Sequence, residues 1–275
     1  VPHSTTQPIA CVLGHPIAGN PSQFAIERAL ASDESDWRFL SLDVAAENLE
    51  DAIRGAKALG FRGLLVADPH QQAASAYCDQ LSPHAESTGL VDTISRTAEG
   101  ALEGHCFLSQ AIADAIAGPF PEPERPVPLT IGVLGDCPTV LAALRPILQS
   151  ESVRCRVQPV ASAIYEDMPN VESVESIEEL IDESIHILIR GVSNGKPASV
   201  PARLLDRVGA PALVIDMAES TSTSPFARDA QQRNLSAITR LDLMIGQTVS
   251  ALQCWTGRVP DAQIVREAFE EYLEI

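Results

Sequence analysis

A chain of 275 residues that is 45% hydrophobic and 20% charged is long enough for two modest cores, and that balance excludes a disordered or fibrous class. Thirty-seven acidic against nineteen basic groups give a net charge of -18, which repels nucleic acid and anionic membranes and gives an anionic substrate no long-range steering. The apolar runs at 185–189 and 210–215 fall far short of the roughly 20 residues a membrane span needs, and residues 1–7 carry no secretory pattern, so a cytoplasmic protein is expected.

The first third alternates strand and helix signals. Residues 9–13 form a short apolar run, 23–31 have helical spacing and 38–44 are strand-like. A helical stripe follows over 47–59 and ends at Gly60, where a left-handed helix cap is expected; residues 63–66 read as the next strand. Strands separated by helices imply crossover units and mostly parallel sheets. Residues 118–128 read GPFPEPERPVP, with five prolines and no periodicity, and mark a domain boundary. Beyond it strands are predicted at 129–134, 153–157, 185–189 and 210–215, and helices at 138–148 and 177–181. Two more helices, 243–255 and 262–273, close the chain around the turn at 257–260. The six cysteines (Cys11, Cys78, Cys106, Cys137, Cys155, Cys254) form no CxxC pair, so buried free thiols are expected and no metal or disulfide framework. Lys57 and Lys196 are the chain's two lysines.

Five stretches in this order resemble the shikimate dehydrogenase family. Residues 14–23 look like the family opening G-x-P-I-x-H-S-x-S-P, and GLLVADPHQ at 63–71 like G-x-N-V-T-x-P-[YFH]-K. AESTGLVDTI at 85–94 looks like A-x-x-I-G-A-V-N-T-I, and GALEGHCFLSQA at 100–111 like G-x-L-x-G-x-N-T-D-x-x-G. Residues 244–247 and 255–257 resemble the M-L-x-x-Q and W-T-G words of the last helices. The resemblance implies an α/β fold with an N-terminal α/β substrate domain, residues 1–118 plus 240–275, to which the C-terminal helices return. A Rossmann-like dinucleotide-type domain, residues 119–239, lies between, with an active cleft between the two domains.

Oxidising a secondary alcohol with a nicotinamide cofactor needs a held substrate, a proton acceptor and a cofactor within hydride reach. By the resemblance the family lysine position holds Gln71 and its partner aspartate position holds Leu108, so neither half of the proton-transferring pair remains. The substrate-pocket positions are Asn20, Ser22, Leu65, Ala67, Gln71, Asp92, Thr93, Leu108 and Gln247; Ser22, Thr93 and Gln247 keep the family chemistry. Cys106 replaces a further asparagine, and Asp92 adds a charge that would repel a nearby carboxylate. Where the family has its glycine-rich phosphate turn the chain reads Gly135, Asp136, Cys137, Pro138, Thr139, and Gln158-Pro159 replaces the Asn-Arg pair that grips the 2'-phosphate. Pro138 suits a first helical position, so that helix should form.

Three readings stay open. The first is a pseudoenzyme or binding protein with no cofactor, or NADP(H) if any, whose ligand is a small molecule less polar or less acidic than shikimate. Its partner would be a second copy of the chain or a neighbouring shikimate-pathway enzyme. The second is a redirected oxidoreductase in which His70 works near neutral pH and Asp92 orients it; against this, His70 reads as a filled aromatic position and Asp68 as a turn residue. The third is a locally different alignment under which NADP-dependent shikimate or quinate dehydrogenase activity survives, which turns attention to His15, Asp79 and His105; against this, His15 reads as a structural turn residue and Asp79 as packing a helix end.

Overall fold

The computed structural model describes residues 7–121, 125–135, 138–158, 170–181, 184–193, 196–218 and 224–275. The chain divides into two units, Val1–Gln110 with Met244–Ile275 and Ala111–Leu243.

The first unit runs β1 (Ile9–Gly14), α1 (Ser22–Ser32), β2 (Arg38–Asp43), α2 (Leu49–Leu59), β3 (Gly63–Val66), α3 (Gln71–Ala74), β4 (Gln80–Leu81), α4 (Pro83–Thr88), β5 (Thr93–Arg96) and β6 (Leu102–His105). Helix α5 (Phe107–Ala117) then leads out of it. Its sheet has the order β2-β1-β3-β5-β6-β4. The predicted parallel arrangement holds for β1 with β2 and β3, because α1 and α2 carry the chain back between them. It fails at β5, which is antiparallel to both β3 and β6. The short turn over 97–101, with Gly100 at φ +89, folds β5 directly onto β6, so no helix intervenes to reverse the direction. Gly60 caps α2 at φ +81, in the left-handed conformation expected of it. The apolar stripe of α2, Leu49, Ile53 and Ala56, packs with Leu13, Leu64, Val66 and Ile94 into the core.

The second unit contains β7 (Leu129–Leu134), α6 (Pro138–Leu148), β8 (Val153–Gln158), β9 (Val171–Ser173), α7 (Ile177–Ile181), β10 (Ile185–Arg190), the hairpin β11 (Val192–Ser193) and β12 (Lys196–Pro197), α8 (Ala202–Leu205), β13 (Val208–Asp216), α9 (Pro225–Gln232) and β14 (Ser236–Thr239). Its sheet order is β14-β13-β10-β7-β8-β9, with every pairing parallel. Strand β7 stands at the centre and the order reverses between β7 and β10, which is the doubly wound arrangement and its ligand-binding switch point.

The chain then returns to the first unit through α10 (Arg240–Thr256) and α11 (Ala262–Leu273). The α/β architecture implied by the resemblance, C-terminal helices included, is therefore present. One close approach fixes the return: a Cβ on Gly63 would stand 2.2 Å from the Trp255 ring, whose Nε1 donates to Ile94 O at 3.1 Å.

Candidate functional site

Gln71 opens α3, just beyond the turn that carries the chain away from β3. Its side chain is committed locally, Nε2 donating to the Val66 carbonyl at 3.1 Å. Leu108 is the second residue of α5, and its polar contact is made by the backbone N–H, which donates to Asp92 Oδ2 at 2.7 Å. Neither side chain can move a proton near neutral pH. Lys57 lies on α2 and is paired with Asp79 at 2.6 Å, while Lys196 lies on β12 in the second unit.

Asp92 is placed differently from its expected role. Rather than presenting a repelling charge to a ligand, its carboxylate is 1% exposed and turned onto the start of α5. Oδ1 accepts from Phe107 N at 3.0 Å and from Thr93 Oγ1 at 2.9 Å, and Oδ2 accepts from Leu108 N. The cause is elementary: the first N–H groups of a helix have no partner within it, and a buried helix end must find an acceptor elsewhere. Burial pushes the Asp92 carboxyl above its usual range, while the Leu108 and Phe107 amides, Thr93 and Gln247 pull it down.

His70 is likewise occupied. It is 2% exposed, and its Nε2 lies 2.6 Å from the Val44 carbonyl, tying the turn after β3 to the chain after β2. The partners described for Asp92 do not include it, so the proposed His70–Asp92 pair is not assembled. Asp68 is exposed in its turn, as the turn reading had it.

Of the other pocket positions, Asn20 bends its Oδ1 onto Ser22 N at 2.9 Å and so caps the entry to α1. Ser22 and Ala67 are half-buried, and Leu65 is buried in β3. The Thr93 hydroxyl is spent on Asp92, and the Cys106 thiol is pushed up to about 12 by burial and then by Asp92, which favours its neutral form. His15 bonds Asp43 at 3.0 Å in the open, and Asp79 accepts from Leu102 N at 2.7 Å; both are local braces. A cavity of about 280 Å3 between Trp37, Asp36 and Arg258 includes none of these positions.

The sequence reading missed one cluster. Pairing of Thr93 with His105 and of Ser95 with Glu103 sets His105 Nε2 2.9 Å from Ser95 Oγ, and α10 brings Cys254 Sγ to 3.7 Å from the same nitrogen. Burial lowers the His105 value and raises that of Cys254, which favours neutral forms of both. No sequence spacing could reveal it, because strand pairing and the returning helix create it.

At the switch point of the second unit, Gly135 has φ +80, and a Cβ there would stand 2.5 Å from Val192 O. Its N–H donates to Gln158 O at 2.7 Å, and Gly191 N donates to Leu134 O at 2.7 Å. Pro138 does open α6, as its position predicted. Asp136, Cys137 and Pro159 lie outside the described residues, as does the Thr139 side chain. The carboxyl ends of β10 and β13 carry a buried pair: Arg190 grips Asp216 through Nε at 3.0 Å and its second guanidinium nitrogen at 2.8 Å, over the Phe226 ring at 4.8 Å. Ser224 Oγ also donates to Asp216.

The family model of the shikimate dehydrogenase substrate binding domain matches residues 12–94. The shikimate dehydrogenase (NADP(+)) of Rubrobacter xylanophilus is 28% identical over 94% of this chain and 93% of its own. The shikimate 5-dehydrogenase of Thermus thermophilus, solved in complex with shikimate, is 25% identical with a TM-score of 0.76, covering 98% of this chain and all of its own. Along nearly its whole length the chain is similar to shikimate dehydrogenases. The chain also shares its fold with the 5-ketofructose reductase of a Gluconobacter strain, at TM-score 0.78 and 19% identity over 98% of this chain and 99% of that one. Among the described residues no helix is long and apolar enough to cross a membrane.

Proposed function

We propose that this chain, a relative of the shikimate dehydrogenases, is a binding protein that does not oxidise shikimate. The observation that carries the reading is the pair of residues at the family's proton-relay positions, the Gln71 amide bound to Val66 O and the Leu108 isobutyl group. Losing a positioned acid/base group costs about 10²- to 10⁴-fold in rate, and here its orienting partner is missing as well.

NADP is the cofactor in the names of the curated relatives, and three described groups near the switch point of the second unit are engaged within the protein. The Gly135 and Gly191 amides are engaged with strand carbonyls, and the Arg190 guanidinium is held by Asp216, so these groups are already committed away from a phosphate. The pocket positions support a ligand less polar or less acidic than shikimate. Leu65 and Ala67 offer no hydrogen bonds, and those of Thr93 and Asn20 are made within the protein.

Two measurements test this. Purified protein given shikimate and NADP should produce no NADPH, and calorimetry at millimolar NADP should register no binding; shikimate-dependent NADPH, or tight NADP binding, would overturn the reading. The double variant Gln71→Lys, Leu108→Asp should stay inactive, since it restores the relay but not a phosphate turn.

A further inference from the structure

The sheet of the first unit carries a second group of reactive side chains, none of them among the pocket positions. Strands β5 and β6 run antiparallel with Thr93 opposite His105 and Ser95 opposite Glu103, so Ser95, Glu103 and His105 share one face. Helix α10 adds Cys254 to them. Three atoms converge on His105 Nε2: Ser95 Oγ at 2.9 Å, Cys254 Sγ at 3.7 Å and Glu103 Oε2 at 4.0 Å. The ring is fixed further by stacking on Phe107, with centroids 5.0 Å apart and planes 5° from parallel. Ser95 is buried and the imidazole is 12% exposed, whereas Cys254 is open to solvent. Among the described cysteines that exposure is its own: Cys11, Cys106 and Cys155 are buried, and Cys78 is half-buried with its thiol pushed up to about 11 by burial and then by Asp79.

We propose that Cys254 is a modification site for soft carbon electrophiles of the α,β-unsaturated carbonyl class, with His105 as its proton acceptor. A reagent in solvent reaches the thiol, and the imidazole beside it offers an unshared pair on Nε2 in its Nδ1–H tautomer. Burial lowers the His105 value and raises that of Cys254, so the resting pair is a neutral thiol beside a neutral imidazole, the form that takes up a proton at neutral pH. In the addition Cys254 Sγ bonds the β-carbon while its proton passes to His105 Nε2. The double-bond electrons move to the carbonyl oxygen as an enolate, and the imidazolium then gives the proton to the α-carbon. Nothing is oxidised or reduced, and the imidazole is regenerated. Ser95 Oγ accepts from Nε2 while it carries the proton, and the Glu103 carboxylate offsets the transient positive charge.

Limiting N-ethylmaleimide, an electrophile of this class, given to the full chain and followed by peptide mass mapping, tests the assignment. Cys254 should be labelled ahead of Cys11, Cys78, Cys106 and Cys155. Between pH 7 and 8 an unassisted thiol gains about tenfold in rate as its thiolate fraction grows, whereas the Cys254 rate should rise less than about twofold. His105→Ala should slow Cys254 by about tenfold or more at pH 7 and restore the steep climb with pH. Three outcomes overturn the proposal: labelling of any of those four cysteines ahead of Cys254, a steep pH climb at Cys254 in the natural protein, or a Cys254 rate that His105→Ala leaves unchanged or increases. The pH profile of the natural protein needs no variant, so it decides the matter even where His105→Ala folds poorly.

Discussion

Asp92 in the first unit and Asp216 in the second are both buried carboxylates beside strand ends, 1% and 0% exposed, yet they are satisfied by opposite means. Asp92 is held by neutral donors, two of them the free amides of a helix start, where the backbone dipoles favour a negative charge. Asp216 is held by a guanidinium gripping both oxygens, with Ser224 Oγ and the Ala218 amide completing the shell. The difference lies in what each leaves behind when removed. Without Asp216 a cation is stranded in a buried site, whereas without Asp92 only uncharged N–H and O–H groups lose a partner.

The largest effect should therefore come from Asp216→Ala, a loss of about 3–5 kcal/mol confined to the second unit. Both tryptophans, Trp37 and Trp255, lie in the first unit, so fluorescence reports that unit directly. Far-UV circular dichroism should show the early loss in urea while the fluorescence transition stays in place; a shared shift would mean the two units do not unfold separately. Asp92→Ala should cost less, about 1–3 kcal/mol, and should move the fluorescence transition. Equal costs for the two variants would break the contrast between stranded charge and stranded dipole.

The smallest effect is in pH. A carboxyl raised by folding contributes stability below the ordinary carboxylate range and loses that contribution as pH rises through its folded value. The stability gap between the natural protein and Asp92→Asn should therefore narrow as pH is raised from about 4 towards neutrality. A gap that widens would show that the donors outweigh burial.

Much of the fold could be read along the chain because it is written in local pattern. The spacing of Leu49, Ile53 and Ala56 and the glycine at 60 mark α2 and its end, and the apolar runs at 63–66 and 129–134 match β3 and β7. The hairpin β5–β6 escaped notice because its strands are four residues each and their partners decide their direction. The candidate site was legible only as residue identity: the side chains of Gln71 and Leu108 cannot transfer a proton near neutral pH. What Asp92 and His70 do was not legible, since Phe107 and Val44, the groups they bind, lie 15 and 26 positions away.

The sequence by itself determined the α/β class and the neutral side chains of Gln71 and Leu108, because periodicity and side-chain chemistry are properties of single segments. Only the tertiary structure decided that Asp92 is a buried cap, that His70 is a brace, and that Ser95, His105 and Cys254 meet. A buried hydrogen bond is made by whichever unsatisfied partner the packing brings near, and that partner has no fixed distance along the chain.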